Sequence, residues 1–346
     1  MSLESYIQAM PKVEVHIHFE GALKREFVER VADQNDIIST MRGREYREWM
    51  ELLRKPDVKK LDDMARTYAS WFKYPEDLSR AVYELGLHLN RQNIRYAEVH
   101  INPAIYTDGG MTFEGFLDAI NDGRDRVLRG WKVRMDWILT IPRDRPRKGD
   151  DISRWVTTGI ARKGNVIGMG VVGREDLATA DQFSKAYSVV EKRDIPTMAT
   201  ARSSTINPEP IRTILHELKP RRLVDVWGIT AEPDMLADLV ESGLPVIVTP
   251  TRELRLNRIT NLADYPLRTL MERLPLAIGS GMPTFYRTSL NDELVELAKH
   301  HALTAEEIET LVLNGVRASF LAAENKEAMI GEFKMHFETL RAQHLS

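Results

Sequence analysis

Short apolar runs rich in β-branched residues alternate down the chain with amphipathic stretches. The runs are Val13–Phe19, Ile94–Ile101, Val133–Ile141, Val166–Val172, Ile195–Ala201, Arg222–Trp227, Leu244–Thr249 and Leu276–Ile278. Between them lie segments such as Pro75–Asn90, Phe113–Leu128, Ala180–Lys192, Pro208–Leu218 and Pro233–Glu241, with apolar residues at helical spacing. Strands this apolar fit a parallel sheet covered by helices on both faces. Eight such repeats close a barrel. The pattern therefore predicts an α/β fold, a (β/α)8 TIM barrel running over residues 1–346 as a single domain. The alternative is an open doubly wound sheet, but no Gly-rich phosphate loop follows the first run.

Two departures from the bare repeat stand out. Residues from about 24 to 90 read as a helical insertion between the first two strands, a cap over the barrel mouth. Its aromatic cluster, Tyr68, Trp71, Phe72 and Tyr74, is expected to form a helical core rather than to close over a ligand. At the other end, Thr304–Phe320 and Glu324–Gln343 read as two further helices packed outside the barrel. The stretch Arg143–Gly149 reads as a solvated basic loop.

Composition narrows the partners. Of 346 residues 43% are hydrophobic and 29% charged, with a formal net charge of −3, a balance that favours neither nucleic acid nor an acidic membrane surface. With no cysteine, disulfides, thiolate zinc sites and cysteine nucleophiles are excluded. The N-terminus carries no apolar signal core, and no run reaches the ~20 apolar residues of a membrane span. A cytoplasmic protein with a small-molecule ligand is expected, with homo-oligomerisation left open.

The strand ends are where such barrels keep their chemistry. His16 and His18 are two apart, so on a strand both point to one face, while Val15, Ile17 and Phe19 point into the helix layer. Two imidazoles aimed into a barrel mouth make half of a common metal site, or a pair of buried, hydrogen-bonded histidines. On the second strand His100 lies two past Glu98, and the two are expected to satisfy one another as core polar residues.

The run PKVEVHIHFEGAL resembles the opening strand of the adenosine/adenine deaminase family, with its His-x-His followed by an acidic residue and Gly. The resemblance continues in order through NIRYAEVHINPAIY, GNVIGMGVVGREDL, RRLVDVWGITAEPDML, TPTRELRLN and SGMPTFYRTSLNDEL. It implies the barrel, zinc ligands at His16 and His18, and ligand contacts at Glu20 and at Gly173 in the turn after the fourth strand. The family's remaining residues have no counterpart. Its fifth strand ends in His-Ala-Gly-Glu, but Pro196 to Ser203 supply neither His nor Glu. Its sixth-strand histidine is replaced by Asp225, and its eighth-strand Asp pair by Ser280-Gly281-Met282-Pro283.

Zinc catalysis needs three or more protein ligands and an open position, and deamination needs a proton shuttle. The expectation is therefore a diverged barrel that has lost the standard zinc-dependent purine deamination. It would bind or transform a small polar or anionic molecule without a cofactor, using Asp225, Glu253 and His18 as acid/base groups and Arg202 and Arg252 as anion contacts. One alternative is a catalytically inactive or engineered binding protein. The other is a hydrolytic deaminase with a rearranged divalent metal site at His16, His18 and Asp225.

Overall fold

The computed structural model describes residues 2–57, 59–201 and 210–345. Eight strands form one sheet: β1 (Lys12–His18), β2 (Ile94–Ile101), β3 (Arg134–Pro142), β4 (Val166–Val172), β5 (Thr197–Thr200), β6 (Arg222–Val224), β7 (Val246–Val248) and β8 (Leu276–Ile278). They follow one another in sequence order and every pair is parallel. The ring closes just past β8, where Ile17 bridges Gly281. His18 N–H donates to the Gly281 carbonyl and Gly281 N–H to the His16 carbonyl, each at 2.8 Å. The (β/α)8 barrel read from the pattern is the fold.

Several strands are shorter than their apolar runs. Pro245 and Pro250 bracket β7, and a proline has no N–H to give to a ladder. Pro250 instead opens the helix Pro250–Arg255. At the end of β6 the ladder stops because Asp225 takes a left-handed φ of 57°, although its N–H still reaches the Ile247 carbonyl at 3.0 Å.

Among the described residues six helices lie between β1 and β2, from Phe19–Ala22 to Pro75–Arg91. One of them, Leu61–Ser70, buries Leu61, Met64, Ala65, Tyr68 and Ala69. Tyr68, Trp71 and Phe72 are buried within this insertion, and the Tyr68 and Trp71 rings meet edge-on at 5.0 Å. Tyr74 does not join them and is 58% exposed. At the C-terminus, Ala305–Ala318 lies against β1 and β8, and Ala323–His344 packs on it. The first of these helices starts at Thr304 through a capping box. The Thr304 hydroxyl accepts from Glu307 N–H at 3.2 Å, and the Glu307 carboxylate accepts from Thr304 N–H at 2.8 Å.

The solvated-loop expectation for Arg143–Gly149 is corrected at its first residue. Arg143 is buried, because its guanidinium donates to the carbonyls of Ala178 at 2.6 Å and Thr200 at 3.3 Å. Among the described residues no helix is long and apolar enough to cross a membrane.

Candidate metal centre

The two-residue period of β1 sends Glu14, His16 and His18 into the barrel, and all three are buried. On β2 the same parity sends Glu98 and His100 inward, with His100 level with His18 in the register. The three imidazoles meet there. Their ring centroids lie 4.9–5.1 Å apart, every pair is edge-to-face, and one ring nitrogen from each falls within 4.8 Å of the others. It is the only such group of potential metal ligands among the described residues.

His100 is the residue that sequence reasoning misplaced. Glu98 does not pair with it. The Glu98 carboxylate is taken by the Arg222 guanidinium, the Tyr96 hydroxyl at 3.1 Å and the Phe320 amide. Arg222 touches His100 Nε2 only at 3.5 Å. The signal available in the sequence was the shared parity of the two neighbouring strands, which sets His100 beside His18.

The electrostatics suit metal binding. Burial pushes His16 down to about 3, with the Arg222 and Arg252 charges adding to the effect. Burial first, and then the neighbouring ring of His16, hold His18 and His100 well below the ordinary histidine value. All three are neutral at physiological pH, the form that ligates. His16 Nδ1 is buried and has no hydrogen-bond partner among the described residues. Buried ring nitrogens without partners are rare in native proteins and call for a reason. Three neutral imidazoles with converging nitrogens are a common zinc ligand set, so the residues present fit that metal.

Below the rings, Glu14 accepts from the backbone N–H groups of His16 at 3.0 Å and Ser280 at 3.1 Å. Burial nevertheless pushes its carboxyl up to about 7.

The remaining candidates sort into two places. Asp225, Arg252 and Glu253 form a charged group beyond β6 and β7. Arg252 Nε lies 3.6 Å from Asp225, its Nη1 lies 2.5 Å from Glu253, and Arg258 holds the other Glu253 oxygen at 2.8 Å. Asp225 is thus drawn to Arg252 and does not join the histidines, which corrects the His16–His18–Asp225 ligand set. Its Oδ1 is buried without a partner among the described residues, and burial raises its carboxyl above the ordinary value. Glu253 is held by two arginines, which argues against its expected acid/base role.

Glu20 and Gly173, by contrast, line a cleft together with His18. The polar wall includes Asn102, Thr140, Arg66 and Asp62, and the apolar wall Ile105, Val172, Leu177 and Met282. Glu20 accepts from Asn102 N–H at 2.9 Å, while burial pushes it up to about 7. Asp62 stands on the cap helix Leu61–Ser70, and its carboxyl is raised by the surrounding protein first and by Asp144 next. The cleft therefore lies over the ends of β1 to β4, with Met282 from beyond β8 in its wall, and neither Asp225 nor Arg252 lines it. Arg202 lies outside the described residues.

Comparison with known proteins supports the same frame. The family profile described as adenosine deaminase matches residues 11–335. The chain is 25% identical over 332 residues to the aminodeoxyfutalosine deaminase of Streptomyces coelicolor, covering 95% of this chain and 85% of that protein. In fold it is similar to a cog1816 amidohydrolase from Burkhoderia ambifaria with bound Zn, at a TM-score of 0.88 and 22% identity, over 99% of this chain and 95% of the other. It is also similar to Arabidopsis ADAL complexed with GMP, at a TM-score of 0.85 and 18% identity, over 98% and 100% of the two chains. The expectation of a cofactor-free site is overturned by the family match and the zinc-bound fold neighbour.

Proposed function

Because the chain belongs to the adenosine deaminase family, we propose that it is a metal-dependent enzyme acting hydrolytically on a small, polar, purine-like molecule in the cleft over β1 to β4. The observation that carries this reading is His18, which is both a member of the histidine cluster and a wall of the cleft. A divalent metal anchored on His16 and His18 would supply a Lewis acid and an acidified water.

The chain's own residues do the rest. Ile105, Val172, Leu177 and Met282 give a flat ring an apolar surface. Asn102, Thr140 and Arg66 offer donors to its polar edge. The helix Leu61–Ser70, through Asp62, Ala65 and Arg66, covers the cleft and limits water. Of the three carboxyl groups in the wall, Asp144 is taken by Arg66, which leaves Glu20 and Asp62 to carry a proton. They stand in for the family's β5 glutamate, which has no counterpart at Thr197–Thr200. That substitution favours a reaction displaced from standard purine deamination.

The test uses protein loaded with zinc and offered purine bases, nucleosides and nucleotides, with binding read by calorimetry and turnover by ammonia release. At least one should bind and be turned over, and chelation or His18→Ala should abolish turnover. Turnover indifferent to both treatments would sink the metal-dependent reading. Binding without turnover would favour the inactive binding protein instead.

A further inference from the structure

We propose that His100 is the third protein ligand of the metal, and that the centre has moved to the β1–β2 wall of the barrel, away from the β5 and β8 ends that complete it in the family. This inference rests on the metal-dependent reading above and adds to it the identity of the ligand set.

Four observations carry it. The first is placement. His18 and His100 are register partners on adjacent parallel strands, so backbone pairing alone fixes their side chains next to one another. His16, one inward step below His18, completes a triangle whose nitrogens lie within 4.8 Å. Side-chain rotation alone can converge such a set.

The second is unmet bonding. His16 Nδ1 is buried and makes no hydrogen bond among the described residues. A metal accounts for it, where a purely structural core would satisfy it with a hydroxyl or carbonyl.

The third is elimination. β5, Thr197–Thr200, contributes no ligating side chain, and Ser280 to Pro283 after β8 contribute no acid. Asp225 is held toward Arg252 at 3.6 Å. Arg222, the cation nearest His100, is held below the rings by Glu98 and by the Ala318 carbonyl at 3.2 Å.

The fourth is the cleft. Its polar wall comes from the ends of β1, β2, β3 and β4, through His18, Glu20, Asn102, Thr140 and Gly173, with Met282 beyond β8 on the apolar side. A centre on the β1–β2 wall opens onto that cleft.

The experiment is metal binding by the whole chain, stripped with chelator and titrated with Co(II) and then Zn(II). Bound metal is counted by plasma mass spectrometry, the Co(II) visible spectrum is recorded, and X-ray absorption at the bound zinc counts imidazoles in the unmodified protein. The expected result is one metal per chain with three imidazoles. His100→Ala and His100→Asn should weaken binding by more than about 100-fold, beyond the range for a group that only orients a ligand, and Asp225→Asn should leave affinity and spectrum unchanged. Circular dichroism of the metal-free variants checks folding. If they do not fold, the imidazole count on the unmodified protein decides. Metal bound with two imidazoles, or with unchanged affinity in His100→Ala, overturns this ligand set and leaves the metal-dependent reading standing. Loss of metal in Asp225→Asn overturns it in favour of the carboxylate. No metal bound by the unmodified protein overturns both.

Discussion

Glu293, on the helix Leu290–His301, is fully buried behind β7 and β8. Its Oε2 accepts from Thr251 N–H at 3.2 Å, but Oε1 has no partner among the described residues. Burial is the first cause of a carboxyl pushed up to about 8, with the Glu14 charge adding to it. An unfolded glutamate titrates near 4.3. The folded value is the higher one, so folding favours the protonated acid. The penalty is absent below about pH 4, grows as pH rises, and levels off above about 8. Glu293→Gln keeps an acceptor for Thr251 and removes the charge. It should match the parent protein near pH 4 and be more stable on the order of a few kcal/mol at pH 9. Urea denaturation at both pH values measures this, and an equal gap at the two would contradict it. Asp225 is a second buried acid, but its neighbours Arg252 and Arg258 oppose the burial cost, so its titration reports on that ion cluster rather than on burial alone.

At the scale of elements, the insertion is tied to the barrel through the packing of Pro75–Arg91 on Phe113–Trp131. These helices approach closely at Gly123, where an added Cβ would stand 2.3 Å from the Ser79 carbonyl oxygen and 2.7 Å from Val82 Cβ. A backbone atom cannot swing aside. Ala gains up to about 1 kcal/mol over Gly in helix propensity, but overpacking costs about 1–3 kcal/mol, and with backbone contact the upper end applies. Gly123→Ala should therefore be destabilising by roughly 1–2 kcal/mol. On the same helix Gly130 has nothing within 4 Å of such a Cβ, so Gly130→Ala should be neutral or stabilising by up to about 1 kcal/mol. Thermal melts of the two variants separate close packing from propensity. The outcome matters for the site, because the same insertion carries Asp62 and Arg66 to the cleft.

For the whole molecule, the barrel interior is more polar than a packed core requires. Glu14, Glu98 and Arg222 fill its lower part and the three histidines its upper part, all buried. Arg222 pairs with Glu98, whereas His16 Nδ1 has no partner among the described residues. A ligand that binds only the folded state stabilises it by about 2.7 kcal/mol at a hundredfold excess over its Kd. Zinc should accordingly raise the melting temperature by several degrees. The shift should vanish in His16→Ala and persist in Glu253→Gln, which sits in the arginine cluster. A shift of equal size in all three proteins would mean that zinc binds elsewhere.

Much of this molecule was legible in its sequence, and the boundary has a physical reason. Apolar periodicity is local, so the eight strands, the helical insertion and the C-terminal helices could be read from it, with differences of a few residues at element ends, among them those where Pro245, Pro250 and the left-handed Asp225 end the ladders. Strand parity is also local, which is why His16 and His18 could be set on one inward face, and why the empty positions after β5 and β8 were visible as residues that cannot bind zinc. Partner choice is not local. Which acid Arg222 takes, which cation holds Asp225, and which third imidazole joins the first two depend on strand register and barrel closure. Spacing alone pairs His100 with Glu98, two residues away on its own strand, but Arg222, 124 residues from Glu98 in the chain, takes that carboxylate. Tertiary structure alone decided that the third imidazole would come from β2, because only closing the barrel brings a buried cation to the acid and leaves the histidine to its neighbours.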